Sequence, residues 1–184
     1  MDAFLISTGL VALAEIGDKT QLLALVLAAR YRKPVPIILG ILVATLLNHA
    51  VAGYLGAWFA ATIDEQLMRW ALGISFIAMA AWMLIPDKLA EEDAKPARFG
   101  VFVTTAIAFF IVEIGDKTQI ATVFLAAKYA DVLAVVVGTT LGMMIANVPA
   151  VLLGEVAAKK LPMRLVHAVV AVVFLALGLV ILFR

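Results

Sequence analysis

The sequence predicts an all-α integral membrane protein: six transmembrane helices arranged as two inverted three-helix repeats. Three observations predict it. Of the 184 residues, 65% are hydrophobic, well above the roughly 45–50% of a soluble domain. The apolar residues fall into six runs, each about the 20 residues that a spanning helix needs. And the heptapeptide EIGDKTQ at 15–21 returns letter for letter at 113–119.

The first run covers about 3–29. It has no basic segment at its start and leads straight into the heptapeptide, so it is expected to be a retained helix rather than a cleaved signal. RYRKPVP separates it from the second run, about 35–61, and TIDEQ separates that from the third, about 66–85. The segment 86–98, PDKLAEEDAKPAR, carries seven charges and two prolines and reads as a solvated linker. The fourth and fifth runs cover about 99–127 and 131–157, and KKLPMR precedes the sixth, about 163–183. The chain thus divides into a first repeat (1–85), a linker (86–98) and a second repeat (99–184), which form one transmembrane domain.

The repeat has a register. At an offset of 98 residues, Leu27, Ala28, Ala29 and Tyr31 match Leu125, Ala126, Ala127 and Tyr129, Gly40 matches Gly138, and Gly56 matches Gly154. A duplicated unit of three helices must cross the membrane in the opposite sense the second time, an architecture common in secondary transporters with a midplane site. Lys and Arg set the orientation. The loops at 30–34, 86–98 and 159–164 hold nine of them, against Arg69, Lys128 and Arg184 on the other side. Both termini are therefore expected outside and the long loop in the cytoplasm.

Composition excludes several functions. A net charge of +1 with no basic block gives no case for nucleic acid. Without cysteine there is no thiolate metal site, disulfide or cysteine nucleophile, and His49 and His167 lack the spacing of a zinc motif.

What remains is the heptapeptide. An ionised side chain at midmembrane costs about 2.5–3.5 kcal/mol even on the mildest scale, so Glu15, Asp18, Lys19, Glu113, Asp116 and Lys117 must face protein or water. In a continuous helix, Glu15 and Asp18 share a face with Gln21, and Glu15 is placed to pair with Lys19. Gly17 permits close backbone approach or local unwinding that frees carbonyl oxygens. If the repeats meet about a two-fold axis, four carboxylates and two lysines leave a balance of −2, which one divalent cation neutralises. Glu15, Asp18, Glu113 and Asp116 are the expected metal ligands. Lys19, Thr20, Gln21, Lys117, Thr118 and Gln119 support them. The all-oxygen donor set suits Mg²⁺, Ca²⁺ or Mn²⁺, and crowded carboxylates in a dry interior can take up protons when the metal leaves. A purely structural polar zipper between the first and fourth helices explains less, because packing does not require four acids and two bases in register.

Asn48 and His49 in the second run and Asn147 in the fifth could complete the ion's shell, orient the carboxylates or join helices; at the 98 offset His49 corresponds to Asn147. Pro149 cannot donate to the carbonyl of Ile145, which predicts a bend beside the site. Glu155 is placed to pair with Lys159 at the interface. His167, Trp58, Trp70 and Trp82 read as packing or interface anchors.

The two EIGDKT motifs, 15–20 and 113–118, resemble the signature of the Golgi manganese/calcium–proton exchangers and their bacterial manganese-exporting relatives. The resemblance covers essentially the whole chain, with no departure inside either motif. It implies Mn²⁺, or Ca²⁺ in some members, as transported substrate in exchange for protons, with no cofactor and no enzymatic activity. By position it assigns the motif acids to Glu15, Asp18, Glu113 and Asp116. The short length is that of the bacterial branch, hence the inner membrane, with lipid as surroundings; a homo-oligomer is compatible with this frame. Rival readings are an exporter of small organic solutes such as amino acids, an intramembrane metal-dependent enzyme, which lacks an obvious nucleophile here, and an accessory helix-binding subunit.

Overall fold

The fold is seen in a computed structural model that describes residues 1–85, 100–153 and 163–183. Among these residues there are eight helices and no strand: α1 (Asp2–Glu15), α2 (Lys19–Tyr31), α3 (Pro34–Thr62), α4 (Glu65–Met83), α5 (Val101–Glu113), α6 (Lys117–Tyr129), α7 (Val132–Leu153) and α8 (Met163–Phe183). The helices α3 and α7 are each long and apolar enough to cross a membrane. The linker at 86–98 and the Glu155–Lys159 pair fall outside the described residues.

The first and fourth apolar runs are not continuous helices, and this corrects the sequence expectation. Each is broken inside its heptapeptide, between α1 and α2 and between α5 and α6. The cause is local. Gly17 and Gly115 adopt φ of 81° and 73°, a left-handed conformation that ends a helix and that glycine adopts at little cost. The next residue, Asp18 or Asp116, has extended backbone and serves as N-cap of the following helix, a role for which aspartate is well suited. The glutamine three residues beyond each aspartate completes the break. Gln21 Oε1 accepts from the Gly17 N–H at 2.9 Å, and Gln119 Oε1 accepts from Gly115 at 2.7 Å. The glycine N–H groups that the break removes from the helix are thereby satisfied within the motif.

Two apolar cores lie on either side of the breaks. One joins α1 and α6 with α4, α8 and the start of α7, through Leu10, Ala14, Phe76, Leu125, Val135 and Phe174. The other joins α2 and α5 with α3 and the end of α7, through Leu23, Leu27, Ile41, Phe109, Val112 and Ala150. The first half of one broken stretch therefore lies beside the second half of the other, and the two stretches run antiparallel.

Small residues at the 98 offset make equivalent crossings. A methyl group on Gly40 would meet the carbonyl oxygen of Phe102 at 2.8 Å, and one on Gly138 would meet that of Phe4 at 2.6 Å. Phe4 and Phe102 are themselves 98 apart. So α3 packs on α5, and α7 packs on α1: the long helix of each half clasps the broken stretch of the other. This crossed packing brings the two motifs together.

Candidate metal centre

Both motifs converge in the interior. Glu15, Asp18, Glu113, Asp116, Lys117, Thr20 and Thr118 are all buried. Carboxylate oxygens of Glu15, Asp18 and Asp116 lie within 4.8 Å of one another. A hard cation with oxygens at about 2.1–2.5 Å keeps its ligand atoms within about 5 Å of each other, so these three groups have the spacing of a shared ion. Asp18 and Asp116 sit at the N-termini of α2 and α6, where the helix dipole tolerates their charge.

The lysines pair across the two motifs. Lys19 Nζ is 3.1 Å from Asp116 Oδ1, and Lys117 Nζ is 3.7 Å from Asp18 Oδ1. The intrahelical Glu15–Lys19 pair expected from spacing is replaced, because the break at Gly17 removes the helical register between the two residues. Asp18 and Asp116 each face a lysine, so the charge of −2 that the six groups carry when all are ionised falls on Glu15 and Glu113, where an ion or protons would have to balance it.

Those two glutamates differ in their partners. Glu113 is held by Thr45, which donates at 2.7 Å, and by Asn48, which donates at 3.0 Å. Glu15 accepts from Thr20 and, at 3.5 Å, from Asn147. Both of these bonds reach Glu15 Oε2, while its Oε1 is buried without a hydrogen-bond partner. An acceptor left bare in a protein interior is costly unless a cation or proton satisfies it. Of the four expected ligands, three thus share one cluster, and Glu113 points its oxygens at Thr45 and Asn48.

Asn48 and Asn147 orient the carboxylates, one for each glutamate. Gln21 and Gln119 support the broken backbone with their oxygens; their amide nitrogens donate to the Ala146 carbonyl and to Asn48 Oδ1, at 3.0 and 3.3 Å. Thr118 donates to Asp116 at 3.2 Å. His49 is buried with neither ring nitrogen hydrogen-bonded. Pro149 sits inside α7 without ending it.

Three side chains beyond those assigned from sequence reach the site. Thr45 is one, and its spacing of three residues from Asn48 on α3 is the signal that could have found it. Trp82 lies under Lys117, whose Nζ is 5.9 Å from the ring centre. His167 Nε2 donates to the Ile16 carbonyl at 3.3 Å, an oxygen exposed by the break. Nothing local to Trp82 or His167 announces these contacts; both depend on how α4 and α8 pack.

A strongly apolar helical chain with acids buried where two antiparallel helices break has the architecture of a membrane transport protein. The family model for the divalent cation/proton antiporter GDT1 matches residues 3–91 and 101–184, and the chain belongs to that family. It is 56% identical over 180 residues to a Vibrio cholerae protein named "Putative manganese exporter", covering 97% of this chain and 90% of that one. A GDT1-like protein of Synechocystis is 28% identical over 207 residues, covering 95% of this chain and 93% of its own. GDT1-like protein 3 of rice is 27% identical over 200 residues, covering 95% of this chain and 71% of its own. No solved structure matches.

Proposed function

We propose that this protein exports Mn²⁺ from the cytoplasm in exchange for protons, binding the ion between its two motifs. Glu15, Asp18 and Asp116 are the ligands. Glu113 is the second uncompensated acid, held by Thr45 and Asn48 until the ion or a proton draws it in. Lys19 and Lys117 neutralise the aspartates so that one divalent cation balances the remainder. When the ion leaves, protons must replace it, because two bare carboxylates in a dry interior are prohibitively costly.

The observation that carries this reading is the buried cluster of Glu15, Asp18 and Asp116 with an unbonded Glu15 oxygen. Family membership supplies the transport of a divalent cation against protons, and the name of the Vibrio cholerae relative supports manganese. In the same reading the chain forms six spans as two inverted repeats, 1–85 and 99–184, joined by a cytoplasmic linker. Each broken pair, α1 with α2 and α5 with α6, makes one span, and both termini lie outside the inner membrane. The antiparallel broken stretches and the 98-residue crossings support this, as does the excess of Lys and Arg in three of the loops.

The test uses inverted membrane vesicles with a preset proton gradient. Adding Mn²⁺ dissipates the gradient with the unaltered protein and not with Glu15→Gln. A Glu15→Gln protein that responds like the unaltered one removes the site assignment. Collapse by amino acids with no response to Mn²⁺ or Ca²⁺ removes the substrate class.

A further inference from the structure

The helices α4 and α8 pack tightly along each other. A methyl group on Gly73 would meet Leu182 at 2.4 Å, and one on Gly178 would meet the Gly73 carbonyl at 2.8 Å. As a pair they belong to one core only, the one with α1 and α6. Among the described residues, the other core, with α2 and α5, contains none from either helix. Because the broken stretches are related by the 98-residue offset, the placement of this pair is the asymmetric part of the assembly.

Equivalent positions record the difference. Phe124 of α6 lies 6.4 Å from the Phe76 ring of α4, centre to centre, and packs on the core; its equivalent on α2, Val26, is 39% exposed. Ile114 at the second break is 59% exposed. Ile16 at the first is partly covered, and its carbonyl is bound by His167 from α8. Both broken stretches carry the same heptapeptide at the break, so the two ends of the site share one backbone geometry.

We propose that α4 and α8 move as one unit between the two ends of the broken helices, closing one mouth of the carboxylate site at a time, and that His167 is the positioning residue that latches the unit at the α1/α6 end. The latch acts through the Ile16 carbonyl: while His167 occupies that oxygen, it is withheld from any ion or water at the break. The exposed surface at Val26 is then the wall of an open mouth, covered by the same two helices in the alternate state. The proposal builds on the transport reading, but its test reads the position of the helices rather than transport.

The chain has no cysteine, so single cysteines report cleanly. A charged, membrane-impermeant thiol reagent is applied to Val26→Cys and Phe124→Cys proteins in vesicles open on both sides. Val26→Cys is expected to react at least about tenfold faster. His167→Leu, which removes the donor, is expected to lower that ratio roughly two- to tenfold, the effect of one hydrogen bond on a two-state balance. His167→Gln, which keeps an N–H donor, restores it. If Phe124→Cys does not fold, Ala121→Cys, fully buried in the core that α4 and α8 share with α6, takes its place with a one-atom change. A Val26→Cys protein that does not react faces lipid and overturns the proposal. So does a ratio unchanged by His167→Leu, or a Gln variant that behaves like Leu. Labelling as expected in a protein that moves no Mn²⁺ overturns the transport reading alone.

Discussion

One heptapeptide folds twice in this molecule, and its two glutamates end in different company. Glu113 has both oxygens occupied, by Thr45 and Asn48. Glu15 keeps Oε1 bare and lies with Asp18 and Asp116. The motif itself does not decide this, since its seven residues are identical. The difference comes from the clasping helices: Thr45 of α3 corresponds to Met143 of α7 at the 98 offset, and a thioether cannot donate as a hydroxyl can. A duplicated motif therefore gives two broken helices but not two equal sites, and the partner helices determine which acid is available to an ion.

Glu15 is the position where a substitution is expected to matter most. Glu15→Gln removes a charge and a ligand from the cluster, and is expected to reduce Mn²⁺-driven proton movement in inverted vesicles at least 100-fold, or about 2.7 kcal/mol. Glu113→Gln is expected to cost about tenfold, with a larger effect on turnover than on apparent Mn²⁺ affinity, because Glu113 already has hydrogen-bond partners. Equal losses in both variants, under the same assay, would show that the two acids act as one.

Lys117 and Lys19 offer a second asymmetry. Lys117 is 2% exposed and Lys19 24%. Lys117→Met removes the buried cation that faces Asp18 and is expected to lower thermal stability of the detergent-solubilised protein by about 3 kcal/mol, the cost of breaking a buried pair. Lys19→Met, nearer solvent, is expected to cost less than half of that. Added Mn²⁺ should recover more stability in the Lys117 variant, since a cation replaces the missing charge.

Thr45→Val tests the origin of the difference more finely. Loss of one donor to Glu113 is expected to lower the maximal rate of Mn²⁺-driven proton movement by about two- to tenfold, with a smaller effect on apparent Mn²⁺ affinity. The smallest contrast is expected in the scaffold. Gly40→Ala and Gly138→Ala meet backbone carbonyls at similar distances and should destabilise by similar amounts, about 1–3 kcal/mol each. A large inequality there would mean that the clasp is as asymmetric as the site.

Much of this was legible in the residues. Apolar runs, punctuation and the doubled EIGDKTQ predict an all-helical chain whose buried acids matter, and the 98-residue offset already pairs Gly40 with Gly138. The breaks were legible in part: Gly17 permits local unwinding, and Gly17–Asp18 and Gly115–Asp116 are each a helix stop followed by a helix start, with Gln21 and Gln119 placed to satisfy the glycine N–H groups. Reading each run as one helix put Glu15 beside Lys19, because apolar length outweighed a two-residue stop signal. The exchange of lysines between motifs, the capture of Glu113 by Thr45 and Asn48, and the His167 contact were not legible. Each depends on the crossing of helices far apart in sequence, and no local spacing encodes a crossing.

Whether acids from both motifs hold one divalent ion is decided by crystals soaked in Mn²⁺ and measured for its anomalous scattering. One strong internal peak is expected within bonding distance of Glu15, Asp18 and Asp116, and it disappears in crystals of Glu15→Gln. Peaks confined to surface carboxylates, with the space between the two motifs empty of metal, would contradict it.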